Sequence, residues 1–440
     1  MSISLLGQPP KTKDFGIKSK KSLAFYLEGR QQAQWRSWEK AAEMHELAIE
    51  LEPDFAEAHF YAGVAYVIRL KFKEALPHLE KAATLKPDHF GGIGFYLGQA
   101  YFFNEQYEES IPYYAAYLQE GRGGPTYEKT VTLNLTKAQF ARDAIKNPVS
   151  FEPINLGSSV NSDADDYLPC LTADEQTLLL VSRRSESGYD PLHREYTEDF
   201  YFCTKEGDGW KKAKNLGPTI NTNFNEGAAC LTQDGKTLFF TGCNRPEGLG
   251  SCDIYVSRWN EKDWTAPENL GPSLNSEYFD GQPNLSQDGK RLYFTSNRKG
   301  GKGGDDIWFS DWDNGIWTTP KNLPGPINTE GNENQPFLHA DDQTFYFSSD
   351  YHPGFGDADL FVSYRDENRE WGTPKNLGYP INTASQEANI TINTLGTTGY
   401  FNSFREGGLG KSDLYSFNLD ESIRPRRATF LRGLTRDSIT

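Results

Sequence analysis

The stretch Asp288-Gly-Lys-Arg-Leu-Tyr-Phe-Thr295 places a tight turn in front of an aromatic strand, and it recurs with small changes along the last two thirds of the chain. Asp-Gly between two strand patterns is a strong hairpin signal. Each copy is followed by a polar, often glycine-rich loop, by a strand that begins after an aspartate and by a short last strand. Four strands per repeat are typical of a propeller blade.

Two markers count the repeats independently. The first is an apolar residue followed by asparagine, at Asn161, Asn221, Asn275, Asn328 and Asn382, with intervals of 60, 54, 53 and 54. The second is the aspartate before the third strand, at Asp199, Asp253, Asp306, Asp359 and Asp413, with intervals of 54, 53, 53 and 54. Both markers predict a five-bladed β-propeller over residues 147–422.

The outer strands predict how the ring closes. Four of them carry a tryptophan five residues before an asparagine: Trp210, Trp264, Trp317 and Trp371. The fifth repeat has none, but residues 151–157, Phe-Glu-Pro-Ile-Asn-Leu-Gly, carry the rest of that pattern before the first repeat. We expect this N-terminal strand to complete the last blade, because a shared strand leaves no exposed sheet edge.

The first third of the chain has a different period. Leu51-Glu-Pro-Asp54 returns as Leu85-Lys-Pro-Asp88 after 34 residues, which is the tetratricopeptide period. We predict an N-terminal extension over residues 1–21, then three such repeats with a capping helix over 22–146. The predicted fold class is therefore α plus all-β in two domains, an α-solenoid followed by a five-bladed propeller.

In a tetratricopeptide array the first helix of each repeat lines the concave face. The side chains expected there form a candidate peptide groove: Tyr26, Arg30, Phe60, Val64, Phe95, Gln99 and Phe102. The alternative is that these aromatic residues pack against the capping helix or the neighbouring domain. The sequence leaves both possibilities open.

Two of the five cysteines stand at the ends of a turn. Cys243 and Cys252 bracket a glycine-containing segment between two strand patterns, so they form a candidate disulfide. The alternative is two ordinary thiols. A disulfide would indicate an oxidising compartment.

Arginines recur in the loops after the second strand, in Ser182-Arg-Arg184, Asn244-Arg245, Ser296-Asn-Arg298 and Ser403-Phe-Arg405. They could form a ligand or ion site at one mouth of the channel, and residues 300–306 are similar to calcium loops. Residues that recur in every blade more often hold the blade together. We therefore favour pairing between these arginines and the recurring aspartates.

Charge and motifs limit the classes of function that we expect for this chain. With 45 basic and 61 acidic residues the net charge is −16, and no basic cluster favours a nucleic acid or an anionic lipid surface. No apolar run suggests a membrane span, and no signal peptide is visible. No catalytic signature stands out. We expect neither catalysis nor a cofactor or metal.

Several stretches resemble one family: residues 146–157, the segment that begins Asn225-Glu-Gly-Ala-Ala, the stretch from Cys243 to Tyr255, Ser296-Asn-Arg-Lys-Gly-Gly and Asn334-Gln-Pro-Phe-Leu-His. They resemble Bacteroidetes OmpA-family envelope proteins with tetratricopeptide repeats and a WD-like, TolB-type propeller, some associated with the type IX secretion system. The resemblance covers nearly the whole chain. It implies a periplasmic protein at the outer membrane that links a membrane or secretion complex to the cell wall.

Members of that family continue into a regulatory-like β-domain and an OmpA-like domain that grips peptidoglycan, and many are exported lipoproteins. By this resemblance, residues 423–440 are the start of that β-domain, and the grip on peptidoglycan lies outside the chain. The role expected here is a non-catalytic scaffold that binds other envelope proteins.

Two other hypotheses stay open. One is a TolB-like periplasmic partner of a peptidoglycan-associated lipoprotein, although that family leads with a mixed α/β domain. The other is a cell-wall glycan hydrolase or lyase that uses the propeller channel, which only the recurring Arg and Asp residues suggest.

Overall fold

The computed structural model describes residues 10–121, 123–185, 189–190, 195–405 and 407–426. The chain divides into a helical unit, residues 1–146, and a propeller unit, residues 147–440. Within the described residues, no helix is both long enough and apolar enough to cross a bilayer.

The helical unit consists of three helix pairs and a final single helix. Its α-helices are α1 Lys20–Gln34, α2 Trp38–Leu51, α3 Ala56–Ile68, α4 Phe72–Leu85, α5 Ile93–Phe103, α6 Tyr107–Glu120 and α7 Gly124–Ala144. Before α1, a short 3₁₀ turn spans Thr12–Asp14, and Ile17 packs into the first core cluster. This arrangement confirms the prediction of a tetratricopeptide-like helical region.

One glycine per repeat lets the two helices of a pair approach closely. A Cβ at Gly63 would lie 2.6 Å from Leu79, and one at Gly29 would lie 2.7 Å from His45. In both pairs the glycine on the first helix precedes its partner on the second by sixteen positions, and Gly98 and Tyr114 repeat the spacing. The 34-residue period therefore repeats a specific packing contact.

The propeller unit has its strands in this order: β1 Ile154–Asn155, β2 Asp166–Leu171, β3 Thr177–Ser182, β4 Tyr189–Asp190, β5 Glu195–Tyr196, β6 Asp199–Glu206, β7 Gly209–Trp210, β8 Lys214–Asn215, β9 Asn225–Leu231, β10 Thr237–Cys243, β11 Cys252–Arg258, β12 Glu268–Asn269, β13 Asp280–Leu285, β14 Arg291–Ser296, β15 Asp306–Asp313, β16 Ile316–Trp317, β17 Lys321–Asn322, β18 Glu333–Leu338, β19 Thr344–Ser349, β20 Asp359–Tyr364, β21 Lys375–Asn376, β22 Ile390–Ile392, β23 Thr398–Ser403 and β24 Asp413–Asn418.

These strands form five antiparallel blades, which confirms the predicted propeller. From the inner strand outward the blades are β2-β3-β6-β7, β9-β10-β11-β12, β13-β14-β15-β16, β18-β19-β20-β21 and β22-β23-β24-β1. The short strands β8 and β17 pair with β6 and β15, and β4 pairs with β5 in a separate ribbon.

The ring closes through the N-terminal strand, as expected. Ile154 pairs with Ser416, and the Nδ2 of Asn155 donates to Asp413 at 2.7 Å. Asn161 then clamps the backbone of Leu414 from both sides, accepting from its N–H at 2.8 Å and donating to its carbonyl at 3.0 Å. The other four marker asparagines clamp the preceding blade in the same way.

Apolar side chains fill the space between neighbouring blades. Trp317 lies in a core cluster with Phe239 and Ile254 of the blade before it, and Trp371 packs in the same way against Tyr293. Trp210 and Trp264 are partly buried at the edges of two further clusters. The outer-strand tryptophans therefore seal the joints between blades.

The described part of the C-terminal segment packs on the propeller. Ile423 is buried in the last core cluster, and the hydroxyl of Tyr346 donates to its carbonyl at 2.6 Å. The N–H of Arg426 donates to Asp341 at 2.8 Å. The start of a following β-domain was expected over residues 423–440, of which residues 427–440 lie outside the described residues.

The structure joins Cys243 and Cys252 in a disulfide. Cys243 ends β10, Cys252 begins β11 and the two residues are paired. The disulfide therefore joins the two strands of the hairpin next to its loop. Cys170, Cys203 and Cys230 are buried free thiols.

We expect removal of this disulfide to destabilise the propeller by about 2–3 kcal/mol, because a loop of this length is no longer closed in the unfolded chain. The measurement is denaturant unfolding of the wild type with and without reductant, beside the Cys243→Ser/Cys252→Ser double variant. Reductant should lower the wild-type midpoint to that of the variant and leave the variant unchanged. An equal shift in both proteins would assign the effect to something else.

Candidate functional site

The helical unit buries most of the predicted groove. Four of its seven side chains are at most 9% exposed, and three are half-buried: Tyr26, Phe60, Val64 and Phe102, against Arg30, Phe95 and Gln99. Tyr26 packs on Phe15 and Phe55 with ring centroids 5.3 and 4.9 Å apart, and Phe60 stacks on Phe90 at 4.5 Å. The four buried side chains are core residues and cannot receive a peptide.

Phe95 and three rings outside the predicted groove are more accessible. We call Tyr61, Phe95, Tyr96 and Tyr127 the aromatic band. Phe95 meets Tyr96 and Tyr127 edge to face at 5.2 and 5.8 Å, and the buried Phe60 joins Tyr96 to Tyr61. The aromatic band and the buried Phe60 therefore form one row of touching rings from α3 across α5 to α7.

The two ends of the aromatic band differ in chemistry. At one end the Arg30 guanidinium lies 3.8 Å from the centre of the Tyr61 ring and donates to the Tyr26 hydroxyl at 3.1 Å. At the other end Tyr127 is 53% exposed. Burial and the nearby hydroxyl of Tyr127 raise the pKa of Tyr96, so its hydroxyl stays neutral. The band offers flat apolar rings, hydroxyl groups and, at one end, one cation.

In the propeller, the recurring aspartates hold loops. The carboxylate of Asp306 accepts hydrogen bonds from the N–H groups of Lys302 at 2.5 Å and Gly303 at 3.3 Å, and from Asn322 Nδ2 at 3.1 Å. Asp253 and Asp413 accept corresponding bonds from their own loops, and Asp359 accepts from the N–H of Phe355. Backbone amides thus occupy the carboxylate that a calcium loop would offer to an ion.

The recurring arginines meet a different carboxylate from the one expected. Arg184 donates to Asp166, at the start of the inner strand, at 2.8 Å and to the carbonyl of Val160 at 2.7 Å. Arg245 pairs with Glu226 at 2.7 Å, and Arg298 pairs with Asp280 in the same way. The predicted pairing with the third-strand aspartates is therefore wrong for these three, because the loop turns each of them back toward the inner strand of its own blade.

Blades four and five have a glutamate at this inner position without such an arginine pair. Hydroxyl and amide groups hold both carboxyls: Ser349 donates to Glu333 at 2.7 Å, and the N–H and hydroxyl of Thr383 donate to Glu387 at 2.9 and 2.7 Å. Burial raises the pKa of Glu333 to about 7 and that of Glu387 to about 8. Ionisation of either carboxyl therefore destabilises the folded state.

Two of the cavities among the described residues lie at the inner strands. One, of about 100 Å³, lies where the inner strands end, and it is lined in part by Cys170 and Cys230. Burial raises the pKa of the Cys170 thiol to about 12, so it is not a nucleophile at neutral pH. The other, of about 360 Å³, lies where the inner strands begin, between blades one, four and five. We call it the mouth cavity.

No protein-family model and no curated protein matches the chain. Among solved structures, the TPR2B-domain–pHsp70 complex of yeast Sti1 is similar over 28% of this chain and 98% of its own, at 19% identity and a TM-score of 0.24. YrrB, described as a TPR protein with an unusual peptide-binding site, is similar over 31% and 67%, at 21% identity and a TM-score of 0.25. The α-L-arabinofuranosidase PaAbf62A from Podospora anserina, in complex with cellotriose, covers 62% and 94%, at 12% identity and a TM-score of 0.35. The helix pairs and blades described above, rather than these similarities, carry the fold assignment.

Proposed function

We propose that the chain is a non-catalytic scaffold that binds other proteins, with the aromatic band as its docking surface. The observation that supports this is a row of touching, partly exposed rings on three helices. Aromatic residues are enriched at protein interfaces because they bury a large area at a small entropic cost. The rigid helices hold the rings in place before a partner arrives, which lowers the cost of binding.

We expect Tyr127→Ala to weaken partner binding about tenfold or more, because an exposed aromatic ring that becomes buried in an interface can contribute over about 1 kcal/mol. Partners captured from envelope extracts with the wild type would be identified, and their affinities measured with purified components. Trp35→Ala is the matched control, because Trp35 is 64% exposed and does not belong to the band. Equal binding by wild type and Tyr127→Ala would count against the band.

The proposal includes a place in the cell envelope. The family resemblance supports it, and so does the Cys243–Cys252 disulfide, since disulfides persist in oxidising compartments. We expect protein taken from acid-quenched, alkylated cells to carry this pair as a disulfide, with the peptide masses as the measurement. If both cysteines were found alkylated in the native protein, the envelope location would be contradicted.

Within the envelope, we infer that the chain is the partner-binding part of a peptidoglycan-associated outer-membrane protein. That protein would belong to a type IX secretion or gliding-like assembly. The resemblance in residues 146–157 and in the blade motifs supports this. Proximity labelling in the native envelope should enrich outer-membrane or secretion proteins. Enrichment of a peptidoglycan-associated lipoprotein would favour the TolB-like alternative.

The absence of catalysis belongs to the same proposal. The recurring acids and arginines of the blades, from which a glycan hydrolase or lyase would draw its catalytic groups, are engaged in loop and strand contacts. We expect no turnover of cell-wall fragments by the wild type or by Asp306→Ala. Turnover by the wild type that Asp306→Ala abolishes would overturn this part of the proposal.

A further inference from the structure

The mouth cavity is built from residues that the blades do not share. In blade one Tyr167 directly follows the inner acid, whereas blades two and three have Gly227 and Gly281 at that position. Glu198 directly precedes the third-strand aspartate of blade one, and Cys252 occupies that position in blade two. Residues that recur hold the blades together, but these do not recur. The architecture of the blade therefore does not explain them.

One wall of the mouth cavity is a rigid polar cluster. Glu198 accepts hydrogen bonds from the Tyr167 hydroxyl at 2.5 Å and from the Arg183 guanidinium at 2.9 Å. Burial, together with the negative charge of Glu198, raises the pKa of Tyr167, so its hydroxyl stays protonated. The Glu198 charge is thus already matched by a cation.

Two other lining residues, Asn389 of blade five and Asp165 of blade one, carry hydrogen-bond acceptors. Asn389 is 9% exposed; its Nδ2 donates to Asn402, whose own Nδ2 donates to Ser412 at 3.0 Å. Within the described part of the chain, the Oδ1 of Asn389 is buried and has no hydrogen-bond partner, and the same holds for the Oδ1 of Asp165. A buried acceptor without a donor is destabilising. A ligand that brings hydroxyl donors would recover part of this.

An apolar surface completes the mouth cavity. Phe404 lines it and is 60% exposed, so its ring is available for stacking. A volume of about 360 Å³ falls within the usual range for small-molecule sites. A metal ion does not fit this lining, because the described residues contain no group of three or more His, Cys, Asp or Glu that could hold one.

We propose that the mouth cavity is a carbohydrate-binding site that takes a neutral sugar ring. Hydroxyl groups of the sugar would donate to Asp165 and Asn389, and its apolar C–H face would lie on the Phe404 ring. The charged cluster at Glu198 would contact the ring next to Asp165, because the backbone N–H of Arg183 donates to the Asp165 carbonyl at 3.3 Å. This site is separate from the aromatic band and does not depend on the proposed protein-binding function.

The test is ligand-observed NMR and calorimetry on the full chain with glucose, N-acetylglucosamine, cellobiose and chitobiose. We expect at least one of them to bind with a Kd no weaker than about 10 mM, which corresponds to a few good contacts. Phe404→Ala and Asp165→Ala should each weaken binding about tenfold, through lost stacking and a lost acceptor.

Leu249→Ala is the matched control, since Leu249 is exposed in a loop of blade two and does not line the cavity. It should leave the affinity unchanged. The proposal fails if none of the four sugars binds at 10-fold higher concentration, or if Phe404→Ala binds as the wild type does. Phe404 is largely exposed, so that variant gives a decisive answer even if Asp165→Ala does not fold.

Discussion

Gly303→Ala is expected to destabilise the propeller by about 3 kcal/mol or more, because overpacking between rigid backbones cannot relax. Gly303 lies in the loop of blade three, against blade four. A Cβ there would fall well inside van der Waals distance of the Gly331 carbonyl oxygen and 2.9 Å from that of Thr329. Neither obstacle is a side chain that could rotate away. Blades three and four would have to separate at this point.

The measurement is the denaturant midpoint from tryptophan fluorescence, which reports mainly on this unit because seven of the nine tryptophans lie in residues 147–440. Gly209→Ala is the control, since the nearest atom to its Cβ would be 3.8 Å away. The control should stay within about 0.5 kcal/mol of the wild type. If both variants were equally stable, the close approach of the blades would be contradicted.

The second large effect concerns the buried acids at or just before the start of the inner strands. Asp166→Asn should cost about 3–5 kcal/mol, because it removes one partner of a buried ion pair and leaves the Arg184 cation uncompensated. Glu387→Gln should do the opposite at high pH. Its amide can accept from the Thr383 N–H and donate to the Thr383 hydroxyl, so both contacts survive without a charge.

The sign of the pH dependence follows from the raised pKa of Glu387. Its carboxyl titrates at about 8 in the folded chain and at its ordinary 4.5 in the unfolded chain. Between those values the unfolded chain ionises first, so wild-type stability falls as the pH rises from 4.5 through 8. Glu387→Gln removes this loss, and its advantage should grow from near zero at pH 4.5 to at most about 5 kcal/mol at pH 9.

Unfolding free energies of wild type and both variants at pH 5, 7 and 9 would check this. The cost of Asp166→Asn should remain large at pH 7 and 9, whereas the gain from Glu387→Gln should appear only as the pH rises. A gain that is the same at all three values would show that the carboxyl of Glu387 is not neutral in the folded state.

Much of the architecture can be read from the sequence because it repeats. The spacing of the marker asparagines counts the blades, and the unpaired outer strand at Asn155 predicts ring closure, because in a closed ring a missing strand must come from elsewhere in the chain. The 34-residue period predicts the helix pairs, since each copy brings a glycine such as Gly63 to the same contact.

The candidate sites are less predictable. Phe60 and Tyr61 are adjacent on one helix. Only the packing of Phe60 on Phe90 shows which of the two is buried. Likewise, an arginine and two acids stand close to one another in the chain, and the path of the loop decides which acid Arg184 meets. Local patterns identify the residues but not their partners.

The amino-acid sequence by itself thus determined the number of blades, their order and the helical repeats, because periodic residues make the same local contact in every copy. Only the tertiary structure decided which rings form the aromatic band and which inner-strand acids form an ion pair with an arginine. It also brought Asp165 of the first blade to the same cavity as Asn389 of the last. Ring closure joins residues more than 200 positions apart, and no local pattern records which side chains meet there.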